Sequence, residues 1–202
     1  VLLAYNRRFY ASTLKAQEII KEDGGVTSFV FEFTEWSHKI SQMFDGSKRF
    51  QYWFLGNSTH VVDLAFYLGG KPVKLCSFTS GSLDWHPKGA VFSGAGKSEK
   101  DALFSYHANW DSPGRWFVEV CTKNHRLYFK PMETLQIQEI GSVAINNVSI
   151  DDELDRKFKP GLYLQVKSFL ENDLSRFSNI YDQQIMIDKY YKKISNCKNY
   201  EK

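Results

Sequence analysis

The chain has 202 residues, of which 43% are hydrophobic and 24% are charged, and its formal net charge is +3. This composition excludes a disordered chain, and it excludes a membrane span because no apolar run reaches about 18 residues. The charge is small and no dense basic run occurs, which argues against a nucleic-acid-binding protein. We therefore expect a cytoplasmic protein of one large domain or two small ones.

The three cysteines, Cys76, Cys121 and Cys197, lie far apart in the sequence. They form no Cys-x-x-Cys pair, and none lies at zinc-ligand spacing from a histidine. We therefore expect free thiols in a reducing compartment and no metal site.

The first part of the chain is predicted to contain two helices separated by a strand. A short buried strand over residues 2–5 precedes a helix over residues 10–22, whose apolar residues recur at helical spacing. The second helix is predicted over residues 58–68, with Asn57 or Ser58 as its N-cap.

Residues 26–36 alternate along the whole segment, which predicts a long strand between these helices. One face carries Phe29, Phe31 and Phe33 and continues to Glu35. The strand therefore has one strongly aromatic face.

A series of strands follows, separated by turns rich in Gly, Asn, Asp, Ser and Pro. The predicted strands cover residues 73–80, 89–96, 101–110, 115–122, 125–130 and 134–139. Two helices are predicted after them, over residues 162–177 and 182–194. This order predicts an α+β fold, in which helices cover one face of an open, mostly antiparallel sheet. The other face must meet a substrate, another domain or another subunit.

Residues 93–98 read Ser-Gly-Ala-Gly-Lys-Ser, which is similar to a phosphate-binding loop. That loop requires a glycine where this chain has Val91, and it connects a strand to a helix rather than two strands. A hairpin turn is therefore the expected structure. No Gly-x-Gly-x-x-Gly turn follows a strand, so we expect no dinucleotide site in this chain.

His60 is the residue that most suggests chemistry. In a helix over residues 58–68 it lies in the first turn, where the helix dipole disfavours a charged imidazolium. A neutral imidazole is what a general base needs at neutral pH. Asp63, three residues further on, could hold the ring in place, or its negative charge could simply interact favourably with the positive end of the helix dipole. A structural histidine remains the alternative.

Residues 5–9 read Tyr-Asn-Arg-Arg-Phe and form a doubly basic exit from the first strand. They are either a solvated turn or an anion clamp, since arginine binds phosphate and carboxylate in a bidentate manner. Tryptophans in or beside the predicted strands belong to a core or stack on a sugar ring. Those considered for stacking are Trp53, Trp85 and Trp110.

Taken together, residues 5–9 and residues 57–70 resemble the C-terminal domain of the glucose–fructose oxidoreductase/inositol dehydrogenase (Gfo/Idh/MocA) family. The second segment reads Asn-Ser-Thr-His-Val-Val-Asp-Leu, followed by Tyr-Leu-Gly-Gly at its end. The resemblance covers most of the chain and implies a two-domain enzyme. Its N-terminal Rossmann domain, which we expect to be missing from this chain, would hold NAD or NADP and supply a catalytic lysine. Residues 1–202 would form a single domain that binds the substrate and forms homo-oligomers through the open sheet face.

By similarity, His60 would be the family's proton-transfer histidine, supported by Asn57, Ser58 and Asp63. The substrate contacts would be Tyr5, Arg7, Arg8, Trp53, Trp85 and Trp110. Many members have an aspartate four residues before the histidine, and here that position is Gly56. The resemblance implies hydride transfer at a hydroxyl or ketone of a sugar or nucleotide sugar. The alternative, favoured by Gly56, is a non-catalytic binding or assembly module that retains the fold.

Overall fold

The computed structural model describes residues 1–196, which form a large sheet with helices against one of its faces. In chain order, the first elements are β1 (Leu2–Leu3), a 3₁₀ turn (Asn6–Phe9), α1 (Ala11–Glu22), β2 (Ser28–Glu32), α2 (Ser37–Ile40), two 3₁₀ turns (Ser41–Met43 and Lys48–Tyr52), a π-helical turn (Phe54–Ser58) and α3 (Thr59–Gly69). The elements that follow are β3 (Pro72–Ser80), β4 (Val91–Ser98), β5 (Leu103–Asn109), β6 (Phe117–Cys121), β7 (His125–Phe129), β8 (Gln136–Glu139), β9 (Asn146–Asn147), α4 (Glu153–Lys157), α5 (Leu162–Leu170), β10 (Ser178–Asn179), α6 (Ile180–Met186), a π-helical turn (Ile187–Tyr191) and α7 (Lys192–Ile194).

The main sheet has eight strands in the order β3-β4-β5-β2-β6-β7-β8-β9. Strand β2 lies in its middle and pairs parallel with β5 and antiparallel with β6. The remaining neighbours pair antiparallel, which confirms the predicted α+β fold with an open, mostly antiparallel sheet. Strands β1 and β10 form a separate antiparallel pair.

The aromatic face of β2 forms the centre of the core, as its alternation predicted. Phe29, Phe31 and Phe33 are at most 1% exposed. Phe31 packs against Phe66 of α3, with 5.4 Å between the ring centroids, and stacks on Tyr106 of β5 at the same distance. The sheet and α3 therefore share one aromatic core, and aromatic pairs of this kind add to the stabilisation that burial provides.

Strand β2 ends at Glu32, four residues before the predicted end. The cause is a change of hydrogen-bond partners at the carboxyl end of the strand. The carbonyl of Phe33 accepts from the indole of Trp110 at 3.0 Å, and the hydroxyl of Thr34 accepts from the backbone of Asn109 at 3.1 Å. Hydrogen bonds to side chains thus replace backbone hydrogen bonds between strands at this point, and the chain leaves the sheet just before Glu35.

Residues 93–98 lie inside strand β4, so the predicted hairpin turn at this segment is wrong. Two glycines are needed there because of close cross-strand neighbours. A Cβ atom at Gly94 would collide with the Tyr106 hydroxyl, and one at Gly96 would collide with the carbonyl of Lys74. The glycines therefore serve strand packing, and β4 and β5 both start two residues later than predicted.

The helical part after the sheet differs from the prediction in an additional short helix, α4, and in the length of α5. Helix α5 ends at Leu170 rather than at residue 177, because Asn172 adopts a left-handed φ of 59° and the chain turns. Residues 180–194 are helical almost as predicted. Cys76 and Cys121 are free thiols, whereas Cys197 lies outside the described residues. No helix within residues 1–196 combines the length and the apolar character that crossing a membrane requires.

Candidate functional site

The helical segment that carries His60 starts well before that residue. A 3₁₀ turn from Lys48 and a π-helical turn from Phe54 lead into α3 without a break. Helix α3 begins at Thr59, within one residue of the predicted start, but because the chain before it is already helical, neither Asn57 nor Ser58 caps a helix end and the predicted N-cap is wrong. The dipole argument for a neutral His60 fails with it, because the unpaired N–H groups of a helix start lie in its first turn.

Burial keeps His60 neutral instead. The ring is half-buried, and this burial lowers its pKa from 6.5 to about 4, with the positive charges of Arg7 and Lys159 adding to the effect. The buried Nδ1 atom has no hydrogen-bond partner among the described residues, and the ring of Tyr5 meets the imidazole edge-on at 5.4 Å. A neutral imidazole has one nitrogen that accepts a proton, so this ring has the protonation state of a base at neutral pH.

Asp63 has a different partner from the one its spacing suggested. It binds Arg8 in a bidentate manner, with 2.8 Å from Nε to Oδ2 and 2.6 Å from Nη2 to Oδ1. Arg8 also donates to the carbonyl of Arg176 and lies 4.6 Å from the ring centroid of Tyr67. The expected support of His60 by Asp63 is thus wrong: both charged groups are engaged in an ion pair that joins the first turn of the chain to α3.

Asn57 and Ser58 both turn towards Glu35, which was not among the predicted site residues. The Ser58 hydroxyl donates to Glu35 Oε1 at 2.6 Å, and Asn57 Nδ2 lies 3.1 and 3.0 Å from the two carboxylate oxygens. Glu35 is only 2% exposed, and burial raises the pKa of its carboxyl group. The signal for it was its position on the aromatic face of residues 26–36, where a carboxylate needs polar partners.

The other polar residues of this region gather around Trp116. The guanidinium carbon of Arg7 lies 4.7 Å from the centroid of the Trp116 ring, and that of Arg115 lies at the same distance from it. Arg115 also approaches Glu35, with 3.9 Å from Nη1 to Oε2. The charge of Glu35 acts on Arg7, and the charge of Arg7 in turn acts on His60. The polar residues around Trp116 are therefore electrostatically connected to His60.

A close turn brings Lys159 into the same neighbourhood. Asn6 Nδ2 donates to the carbonyl of Pro160 at 2.9 Å, which fixes the residues before α5 against the first turn of the chain. Gly161 has a φ of +70°, and a Cβ atom there would collide with the carbonyl of Asn6. Glycine is therefore required for this approach, and Lys159 acts on His60 as a result.

The aromatic residues proposed as sugar contacts lie in different surroundings. Trp85 and Trp110 are 2% and 1% exposed and stack on each other in the core, with 5.2 Å between their ring centroids. Neither ring offers a face to a ligand, so we leave both out of the candidate site. Tyr5 is also buried, which raises its pKa to about 12. Trp53 lines a surface cavity of about 500 Å³ together with Asn57.

No group of three or more metal-ligating side chains occurs in the part of the chain that the structure describes. A nicotinamide cofactor binds at the glycine-rich turn of a doubly wound parallel sheet. In residues 1–196 the one parallel pair is β2 with β5, and both strands belong to a mostly antiparallel sheet. These residues therefore offer no site of that type for the cofactor's pyrophosphate.

No protein-family model and no curated protein matches the chain, but solved structures share its fold. Levoglucosan dehydrogenase in complex with NADH and levoglucosan matches with a TM-score of 0.58 and 22% identity, over 72% of this chain and 46% of that one. UDP-N-acetylglucosamine 3-dehydrogenase from Acidithiobacillus ferrooxidans matches with a TM-score of 0.57 and 13% identity, over 85% and 52% of the two chains. A dehydrogenase from Clostridium difficile gives a TM-score of 0.68 and 16% identity, over 96% and 61%.

The chain spans about half the length of the solved dehydrogenases that it matches. At these identities the shared property is the fold, an α+β domain with an open, mostly antiparallel sheet that this chain shares with part of each of these dehydrogenases. The fold that the resemblance implied is therefore confirmed.

Proposed function

We propose that this chain is the substrate-binding domain of an NAD(P)-dependent oxidoreductase that acts on a sugar or nucleotide sugar, with His60 as its proton-transfer residue. Residues 1–202 would act together with an N-terminal Rossmann domain that holds NAD or NADP. The observation that carries the proposal is a half-buried imidazole whose pKa is lowered by burial, so that the ring is neutral, in a fold shared with dehydrogenases of sugars.

The role of His60 in this reaction is to move the proton of a sugar hydroxyl. A bound NAD or NADP, held by the Rossmann domain, would supply the hydride acceptor for the carbon that bears this hydroxyl, since oxidation of an alcohol to a ketone releases one hydride and one proton. The neutral ring accepts that proton and returns it in the reverse reaction. Burial and the charges of Arg7 and Lys159 keep the ring free of a proton beforehand.

Glu35 is proposed to position the segment that leads to His60. Its carboxylate binds Asn57 and Ser58, the two residues of the π-helical turn that lie closest to α3, and so fixes this turn against the end of β2. The geometry of a base relative to its substrate strongly affects the rate, so this anchoring matters for catalysis. Asn57 and Trp53 remain as candidate contacts in the surface cavity that both of them line.

The test is to supply a polypeptide that joins a Rossmann domain to this chain with NAD or NADP and a panel of sugars. NAD(P)H absorbance reports the reaction. We expect sugar-dependent reduction of the cofactor, strongly diminished in the His60→Ala variant. Absence of turnover with every neutral and anionic sugar of the panel would overturn the proposal.

The second candidate is a binding or assembly module without catalysis. Gly56 favours it, because the family that the chain resembles often has an aspartate at this position, and the described residues give His60 no carboxylate partner. Sugar binding without any turnover in the same experiment would support this module over the enzyme.

A further inference from the structure

Two arginine side chains share one indole ring, and the charge of one of them, Arg7, acts on His60. Arg7, from the first 3₁₀ turn, and Arg115, from the loop before β6, each lie 4.7 Å from the centroid of Trp116. Stacking on an aromatic ring holds a guanidinium plane in place while leaving its N–H edge able to bind an oxyanion. Two cations from distant parts of the sequence are thus held against one ring, and the charge of Arg115 acts on Arg7.

Among residues 1–196, Arg7 has no ion-pair partner. The carboxylates of Glu133 and Glu35 act on it from beyond ion-pair distance, and the hydrogen bond from its side chain to Asn6 Oδ1 is long at 3.5 Å. The buried Nε atom has no partner in the described part of the chain. The neighbouring Arg8, by contrast, is fully engaged by Asp63.

The positive charge of Arg115 is also weakly compensated. Its side chain is 48% exposed, and its contact with Glu35 is 3.9 Å long, to a carboxylate that Asn57 and Ser58 already bind. A second ring, that of Trp36, lies 4.6 Å from its guanidinium carbon. The aromatic rings therefore hold this cation at the surface without neutralising it.

This arrangement is costly for the free protein. Burial lowers the pKa of Arg7, and the charge of Arg115 lowers it further, because two close cations repel each other. Lys159 adds a third positive charge near His60. A bound anion would relieve this repulsion, and local costs of this kind are characteristic of binding sites.

We propose that Arg7 and Arg115 form a subsite for an anionic group of the sugar substrate, a carboxylate or a phosphate, next to His60. The proposal rests on the proposed function for the identity of the substrate as a sugar. It narrows the substrate class to acidic or phosphorylated sugars. It also assigns different roles to two adjacent arginines: Arg7 binds the ligand, whereas Arg8 forms a structural ion pair.

The experiment is a calorimetric titration of the 202-residue chain with three probes: glucuronate, glucose 1-phosphate and neutral glucose. The first two distinguish a carboxylate from a phosphate source. We expect one or both anionic probes to bind more tightly than glucose. A charge-assisted hydrogen bond contributes about 1.5–3 kcal/mol, so Arg115→Gln and Arg7→Gln should each weaken that binding by roughly 10-fold or more.

Arg126→Gln is the matched control. It removes the same single charge from the open face of the sheet, where Arg126 pairs with Glu119, and should change the affinity by less than about 2-fold. Arg7→Lys, which keeps the charge but loses the planar fork, should bind the anion with intermediate affinity. Thermal unfolding of each variant shows that it is folded.

The proposal is overturned if glucose binds as tightly as the anionic probes, if no probe binds, or if Arg115→Gln binds like the wild type. Turnover measurements with the joined polypeptide distinguish a failure of the anion subsite from a failure of the proposed function. Oxidation of neutral sugars by the joined polypeptide, unaffected by Arg115→Gln, would refute the subsite alone. Binding of the anionic probes without any turnover would support the subsite and refute the catalytic role.

Discussion

Replacing Asp63 with asparagine tests the ion pair that joins the first turn of the chain to α3. Arg8 makes two charge-assisted hydrogen bonds to this carboxylate, at 2.6 and 2.8 Å, and the two side chains are only 13% and 8% exposed. Removing one member of a buried pair leaves the other charge without a partner and costs about 3–5 kcal/mol. Asparagine retains one acceptor oxygen, and Arg8 keeps its bond to the carbonyl of Arg176, so we expect a loss of about 2–3 kcal/mol.

The assays are urea unfolding of the 202-residue chain, which gives the loss of free energy, and thermal unfolding, which gives Tm, both followed by tryptophan fluorescence. For a domain of this size, 1 kcal/mol corresponds to about 2–4 °C in Tm, so the variant should melt roughly 4–12 °C lower. Glu18→Gln is the control, because it breaks an exposed pair with Lys15 and should cost under about 0.5 kcal/mol. A loss in Asp63→Asn no larger than in this control would refute the assignment of Asp63 to the structural pair.

Three further predictions follow from the same contacts. The folded-state pKa of His60, about 4, lies below its usual 6.5, so its contribution to stability is complete above pH 6.5 and is lost as the pH falls towards 4. Urea titrations should show about 3 kcal/mol of this loss at pH 4, absent from His60→Asn. Glu35→Ala leaves the buried Ser58 hydroxyl without its acceptor and should lower the unfolding free energy by about 1–3 kcal/mol, whereas an unchanged midpoint would contradict the anchoring role. The chain should form a dimer through the open sheet face, where Leu103 is 63% exposed, and Leu103→Glu should give a monomer in light scattering; a monomeric wild type would contradict this.

Local periodicity was enough to predict the class of the fold. The alternation of residues 26–36 placed Phe29, Phe31 and Phe33 on one face, and burial of all three in the core confirms it. Periodicity could not predict that β2 pairs parallel with β5, since partner choice depends on contacts between distant segments. The same limit explains the early end of β2, which is caused by the Trp110 side chain.

The site was harder to predict because its polar residues have partners far away in the sequence. Asp63 lies three residues from His60, yet its partner is Arg8, 55 residues away. Asn57 and Ser58 matched a helix cap, but both bind Glu35, more than 20 residues before them. Spacing along one helix shows which side chains share a face, and it does not reveal a carboxylate brought in by another element.

The central claim is that His60 transfers the proton of a sugar hydroxyl, and single-turnover kinetics test it most directly. The polypeptide that joins a Rossmann domain to this chain is mixed with NAD or NADP and saturating sugar above pH 7, where the wild-type ring is neutral. We predict that His60→Ala and His60→Asn each slow hydride transfer by about 10²–10⁴-fold while cofactor affinity stays unchanged. Hydride transfer at the wild-type rate in a folded His60→Ala variant would contradict the account and make His60 a structural residue.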